Sequence, residues 1–323
     1  MESKINHSIC LIVPYFGKFP NYFDMWLYSC GQNKDISFLL ISNNDRPENL
    51  PENFIYIKEE FDETVRRFQN CYDFPICLDS PYKFCDFRPA YGEVFSKELE
   101  GFDYWGFVDV DLILGNVRKC LTDEILDSYD KFYAHGHLTV FRNTRELNLL
   151  YRNMDYKKVF SHGYPFHFDE GGGITEYYSK YGLKQYFKVD MADILPFRYR
   201  FSNTSEDIGR FPQIYRYHDG KVICIYEEKG ELKEREYIYM HLQKRPMERN
   251  NRSIESYYVI PNEFLDIDDK DIASCVKEQA KQRICWHWKK ARSKELWTNI
   301  KKGTIRFQLE MLLSKLHIMK GIV

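Results

Sequence analysis

The chain has 323 residues and a formal net charge of −2 at pH 7, enough length for one large or two modest cores and no global charge signature of a nucleic-acid binder. Nine cysteines occur without a Cys-x-x-Cys pair, and neither a leader peptide nor an 18-residue apolar segment is evident, so reduced thiols, a cytoplasmic setting and no membrane-spanning helix are expected. Charge is uneven: residues 270–323 carry 13 basic against 4 acidic side chains, a net of +9 that leaves about −11 on the other 269.

Ser8–Val13 is a continuous apolar run closed by Pro14, the pattern of a strand buried on both faces. A loop to Pro20 follows, then a helix over Tyr22–Cys30. A second buried strand over Ile36–Ser42 ends in Asn43-Asn44-Asp45, and Ile55–Ile57 is a short third strand. Strand, helix, strand with polar residues at the strand ends is the order of an open parallel sheet, whose ligands gather at its carboxyl edge. Asp62–Asn70 reads as a helix. Tyr82–Gly92 then brings Lys83, Asp86 and Arg88 ahead of a helix running to Glu98. Beside a metal such cations suit a diphosphate, which Arg meets bidentately; alone, the stretch is equally an ordinary charged helix start.

The centre of the chain is Gly101–Gly115. Its apolar run Tyr104–Val108 reads as a buried strand leading straight into Asp109-Val110-Asp111. Two carboxylates this close are costly unless a cation lies between them. All-oxygen ligands favour a hard divalent ion such as Mg²⁺ or Mn²⁺, which keeps positions open for phosphates; a solvated acidic turn is the bland alternative. A helix is expected over Leu121–Tyr129, a strand over Lys131–Asn143 and a helix over Glu146–Arg152. His135 and His137 lack a third soft ligand at a familiar spacing, so they read as pocket-lining or packed histidines rather than a zinc site. Asp169-Glu170 precede three glycines and a helix from near Ile174, where backbone can approach a ligand closely. Tyr186–Val189 reads as a short strand and Ile194–Gln213 as an irregular arginine-rich surface segment. Val222–Tyr226 and Glu236–Leu242 read as strands, a hairpin across Glu227–Glu234, and the second ends in His241-Leu-Gln-Lys244.

Beyond Pro261 an acidic link, Asp266–Asp271, leads into helical sequence in which Trp286, Trp288 and Trp297 alternate with Lys289, Lys290, Arg292 and Lys294. Two readings stand side by side: an amphipathic helix docking on an anionic membrane surface, or a helix packed on the body with a solvated basic face. The tail alone offers basic residues with aromatics, and its tryptophans suit a membrane better than nucleic acid.

In order, Ile9–Tyr15, Lys83-x-x-Asp86-x-Arg88-Pro89-Ala-x-Gly92, Trp105–Asp111, His137–Asn143, Phe168-Asp-Glu-Gly171 and Tyr239-x-His241-x-Gln-Lys244 resemble GT-A-type glycosyltransferases. The likeness is greatest to bacterial members from capsule and lipopolysaccharide gene clusters. It covers roughly residues 8 to 245 and leaves the tail unmatched. It implies an α/β, Rossmann-like catalytic domain over 1–260, with a mixed, mostly parallel central sheet flanked by helices, and a basic helical extension over 261–323. It also implies a nucleotide-sugar donor, with UDP-hexose favoured, and a glycan or lipid-linked acceptor in surface polysaccharide synthesis at the inner membrane face.

In that scheme Asp111, with Asp109 and His241, holds Mn²⁺ or Mg²⁺ against the diphosphate. Tyr15 and Asn43, Asn44 and Asp45 face the nucleoside, while Lys83, Asp86, Arg88 and Lys244 address nucleotide or phosphates; Asp109 reaches ribose or ion. Asp169, ahead of Glu170, is the carboxylate that takes the acceptor proton if the reaction inverts, and the same pair positions sugar or acceptor if it retains. Two rivals remain. One is a nucleotide-sugar-binding paralogue without turnover. The other is an Asp-x-Asp phosphotransferase, disfavoured by Ile113 where that pattern wants Thr or Val and by the motif's place a hundred residues into the chain.

Overall fold

The computed structural model describes residues 7–189, 191–194, 201–203, 208, 211–244, 247–280 and 293. The first strand, Ile9–Tyr15 (β1), runs on through Pro14 rather than stopping before it. Proline is tolerated because the neighbour Tyr104–Val108 (β4) pairs only with Ile9–Ile12, so Pro14, lacking an N–H, lies beyond that ladder. Between them in sequence come Ile36–Ser42 (β2) and Phe54–Lys58 (β3), separated from β1 by the helix Phe23–Gly31 and followed by the helix Phe61–Gln69. Leu112–Leu114 (β5) follows β4 after the two aspartates.

Lys131–Asn143, expected as one strand, is a hairpin: Lys131–His135 (β6) and Leu138–Arg142 (β7) turn at Gly136-His137, with a bulge between Phe132 and His135. One glycine inside an apolar run is a weak turn signal, which is why the run reads as continuous. Gln185–Tyr186 (β8) completes the first sheet, in the order β3-β2-β1-β4-β7-β6-β8. Its pairings place every strand in one direction except β7.

The stretch expected to be irregular, Ile194–Gln213, contains a strand: Phe201–Asn203 (β10) pairs with Met191–Ile194 (β9). Gln213–His218 (β11), Lys221–Glu228 (β12) and Glu231–Tyr237 (β13) form a meander that includes the expected hairpin. Glu236–Leu242, read as one strand, divides: its end, Tyr239–His241 (β14), leaves the meander and pairs with β5 and β9. Glu248–Asn250 (β15), Ser256–Ile260 (β16) and Glu263–Leu265 (β17) close the third sheet.

Alternation along β1 and β2 explains their unbroken apolar sequence. Ile9, Leu11, Phe38 and Leu40 enter one core, while Cys10, Ile12, Leu39 and Ile41 enter another on the opposite face. The second sheet (β10-β9-β14-β5) is sandwiched in the same way. Leu112, Leu114 and Tyr239 pack toward the first sheet, and Ile113 and Met240 toward Tyr215, Tyr217 and Cys224 of the third. The third sheet's outer face carries Ile214 and Ile225 under Val276 of the helix Ile272–Glu278. Residues 263–278 are thus joined to the body. The tryptophan-bearing basic tail from 281 onward, Ser293 apart, lies outside the described residues. Among the described residues no helix is long and apolar enough to cross a membrane.

Candidate functional site

A cavity of about 1240 Å³ opens where the carboxyl ends of β1 and β4 meet the turn after β14, with the β6–β7 hairpin and the 167–170 loop as its other walls. Asp109 and Asp111 both line it. The turn that carries them is fixed through its backbone: Asp109 N–H donates to His137 O (3.0 Å), and Trp26 Nε1 donates to Asp109 O (3.1 Å).

Asp111 is 2% exposed. Leu242 N–H donates to its carbonyl (2.8 Å) and Lys244 N–H to its Oδ2 (2.7 Å), because Gln243 and Lys244 both take left-handed φ (57° and 54°) and curl the chain back onto it. The His241 Nε2 lies 3.3 Å from the same Oδ2, and its Nδ1 lies 3.3 Å from Asp193 Oδ1. Gln243 Nε2 in turn donates to both Asp193 oxygens at 2.8 Å. Burial alone would raise the Asp111 carboxyl, but the His241 imidazole and the Lys244 charge and N–H outweigh it and hold it well below the usual range. Burial alone would lower His241, yet Asp111 and Asp193 push it up to about 10. Asp111 Oδ1 is buried with no hydrogen-bond partner.

Arg88 organises the opposite wall. Its Nη2 pairs with Asp109 Oδ1 and its Nη1 with Asp169 Oδ2 (2.6 Å) and Gly136 O, while the guanidinium lies over the Phe107 ring. Asp169 is 1% exposed, and its Oδ1 is buried without a partner. Burial pushes the Asp169 carboxyl up to about 7 against the pull of Arg88. Burial, with Asp111 adding to it, likewise raises Asp109 against Arg88. Glu170 is held below its ordinary value, chiefly by His167, whose Nδ1 lies 3.4 Å from Glu170 Oε1. Gly136 lets these side chains sit close: a Cβ there would meet Asp169 Oδ2, Glu170 Cγ and Glu170 Oε1 at 3.0 Å and push them back.

The expected site residues therefore divide. Tyr15, Arg88, Asp109, Asp111, Asp169, Glu170, His241 and Lys244 line one cavity. Lys83 and Asp86 do not: they form a buried ion pair (2.6 Å; 1% and 0% exposed). Lys83 Nζ also donates to Val159 O and Tyr164 O, and Asp86 accepts from Phe166 N–H and Phe168 N–H. Every Lys83 donor is occupied, so the pair builds the 159–168 loop instead of meeting a ligand. Asn43, Asn44 and Asp45 also stand off the cavity. Asn43 Oδ1 accepts from Gly17 N–H (3.0 Å), Asn44 Nδ2 donates to Gly17 O (2.7 Å), and Asp45 pairs with Lys58 in solvent. They anchor the loop after β1, whose Tyr15 does face the cavity, its hydroxyl donating to Lys18 O.

Sequence reasoning missed Asp193, which lies in a strand without a motif, and Gly136. His135 and His137, read as pocket-lining or packed histidines, both line the cavity and are also packed, the His137 ring stacking on His241 at 4.3 Å.

The fit of a divalent cation can be judged from these donors. A buried carboxylate oxygen without a partner, beside an imidazole whose far nitrogen is already held by a carboxylate, is the donor set of a histidine–carboxylate metal site with its outer partner in place. Asp109 is drawn off by Arg88 and joins that pair only if the guanidinium releases it. Among the described residues a second group of candidate ligands, His167, Asp169 and Glu170, gathers within 4.8 Å, but it is already neutralised by Arg88 and by its own imidazole.

Comparison with curated proteins gives no match. Solved structures that resemble the chain include the galactosyltransferase LgtC in complex with donor and acceptor sugar analogues (12% identity, 46% of this chain and 61% of that one, TM-score 0.28). The glycosyltransferase GlyE of Streptococcus pneumoniae TIGR4 is another (9% identity, 57% of this chain and 45% of that one, TM-score 0.31). The chain thus spans less than two thirds of either, and no residue role follows from so partial a likeness. A family model matches residues 11–268, most of the described body, and the chain belongs to that family, DUF6625, a family of unknown function.

Proposed function

We propose that the protein is a metal-dependent glycosyltransferase. It moves a sugar from a nucleotide-sugar donor, UDP-hexose being favoured, to a glycan or lipid-linked acceptor of a bacterial surface polysaccharide. The observation that carries this is the buried Asp111, whose Oδ2 faces His241 and whose Oδ1 has no hydrogen-bond partner, at the carboxyl edge of a mostly parallel sheet and at the wall of a large cavity. Asp111 and His241, with Asp109 once Arg88 releases it, would hold Mn²⁺ or Mg²⁺. Bound there, the ion supplies positive charge that offsets the negative charge of a departing nucleoside diphosphate.

The chain's own residues do the rest. Lys244, exposed on its left-handed turn, reaches the phosphates. Tyr15 lies at the nucleoside end. Arg88 orients Asp169, and its positive charge stays within reach of the sugar. In the inverting reaction the acceptor hydroxyl oxygen bonds to the anomeric carbon as the carbon–oxygen bond to the diphosphate breaks. The diphosphate leaves with the bonding electrons, and the hydroxyl proton passes to Asp169 Oδ1. A carboxyl pushed up to about 7 is matched to that task near neutral pH.

Calorimetric titration of a panel of nucleoside diphosphates, with and without Mn²⁺, tests the reading. One nucleotide should bind in a manganese-dependent way, and Asp111→Asn, which keeps the side chain's shape, should abolish that dependence while leaving the melting curve cooperative. Equal metal-dependent binding in Asp111→Asn, or no nucleotide bound under either condition, would sink the proposal. Hydrolysis or transfer of the matching nucleotide sugar by the wild type separates an enzyme from a binding protein.

A further inference from the structure

The cavity is larger than a donor alone needs, since small-molecule pockets run roughly 300–1,000 Å³. Its contacts close into a circuit. From Asp111 the chain of contacts passes through the Lys244 backbone to Lys244 Nζ, which lies over the Tyr82 ring at 4.7 Å. It continues from the Tyr82 hydroxyl to His167 Nε2 (3.5 Å) and from His167 Nδ1 to Glu170 (3.4 Å). Asp169 and Arg88 then return it to Asp109. Tyr82 and His167 therefore stand at the far point of the circuit from the Asp109-x-Asp111 turn.

These far residues are the exposed ones. Tyr82 is 51% exposed, one of the few large apolar side chains left so among the described residues. The side chains of His167 and Glu170 are 44% and 51% exposed. His167 is also held in a left-handed conformation (φ 55°), fixed from both sides because the N–H groups of Phe166 and Phe168 are tied to the buried Asp86. A side chain kept at an uncommon backbone angle by a buried ion pair, yet presented to a cavity, marks a ligand contact more than a fold requirement.

Resting on the transferase reading, we propose that Tyr82, His167 and Glu170 form the acceptor subsite, and that it takes the terminal sugar of a neutral glycan. A pyranose has an apolar face that suits the tyrosine ring and a rim of hydroxyls that suits an imidazole and a carboxylate. The imidazole and carboxylate balance one another in charge, and the cation beside them, Lys244 over the Tyr82 ring, is the one assigned above to the donor's phosphates, which leaves this wall for a neutral group. Glu170 adjoins Asp169, so a sugar seated here brings its hydroxyl toward the Asp169 carboxylate.

The test uses the full chain saturated with Mn²⁺ and UDP. A panel of p-nitrophenyl monoglycosides and a short-chain polyprenyl phosphate are titrated separately into wild type, Tyr82→Ala, Tyr82→Phe and His167→Ala. At least one glycoside should bind the wild type. It should lose about tenfold or more in affinity in Tyr82→Ala, with Tyr82→Phe restoring most of it, and the loss should be at least five times that for UDP. The proposal falls if a glycoside binds Tyr82→Ala as well as wild type, or if no glycoside binds a wild type that does bind Mn²⁺ and UDP. It falls equally if only the polyprenyl phosphate binds. A wild type that binds no nucleotide takes the transferase reading down with it.

Discussion

Lys83 and Asp86 carry the sharpest test of the structure, because their sequence context suggests a ligand contact and their geometry says otherwise. Replacing Asp86 by Asn removes the partner of a Lys83 ammonium that is 1% exposed and leaves that charge among the carbonyls of Val159 and Tyr164. It also weakens the acceptor for the Phe166 and Phe168 N–H groups. Breaking one side of a buried pair costs about 3–5 kcal/mol. At about 2–4 °C per kcal/mol, the melting midpoint should fall by roughly 6–20 °C. Lys83→Met should fall comparably. The double variant should cost about 2 kcal/mol less than the sum of the singles, because neither charge is then stranded, although the two loop N–H groups still lose their acceptor. Urea and thermal unfolding of the four proteins, with UDP titrations alongside, make the measurement. Single variants within 1 °C of wild type but crippled in nucleotide binding would refute the reasoning and restore the pair to the ligand.

Two further outcomes follow from the buried charges. Lys131 is 0% exposed, donating to Tyr133 O and Thr175 Oγ1, and burial pushes its ammonium down to about 7 against the pull of Asp169. The unfolded chain keeps that proton up to about 10.5. Between these values it binds more protons than the folded one, so stability relative to Lys131→Met should rise with pH across that window by up to about 1.4 kcal/mol per unit and stay flat outside it; urea midpoints at pH 6, 8 and 10 that track one another in both proteins would contradict this. Asp193→Asn removes the charge that holds His241 Nδ1 and should weaken Mn²⁺ binding, followed by the electron paramagnetic resonance of the free ion, by about 10–100-fold with the fold kept, whereas unchanged affinity would place the ion elsewhere.

What could be read in the sequence was whatever is local. The buried strands announced themselves as apolar runs, and Asp109-x-Asp111 and His241 stood out because charged or polar residues follow directly on such runs. The 131–143 hairpin was hidden because its turn rests on a single glycine. Partner identity was not legible either. Lys83 and Asp86 look like a phosphate-binding pair until the carbonyls and N–H groups of residues 159–168 reach them, some 80 positions later in the chain. Asp193 lies in a strand whose sequence carries no motif, and its role emerges only where β9 and β14 run side by side.

Asp111 and the turn that clasps it are 133 residues apart in the chain. During synthesis the first sheet has every strand but one of its parallel set as soon as the 131–142 hairpin is made, yet its aspartate pair then lacks His241 and the Lys244 turn that clasps Asp111. Closing that distance is a long-range step whose entropic cost no local contact repays in advance. A nascent or proteolytically shortened chain that ends before residue 241 could therefore hold a folded sheet with an inert edge. Under the proposed reading, metal-dependent nucleotide capture would begin only once residues 241–244 had been made.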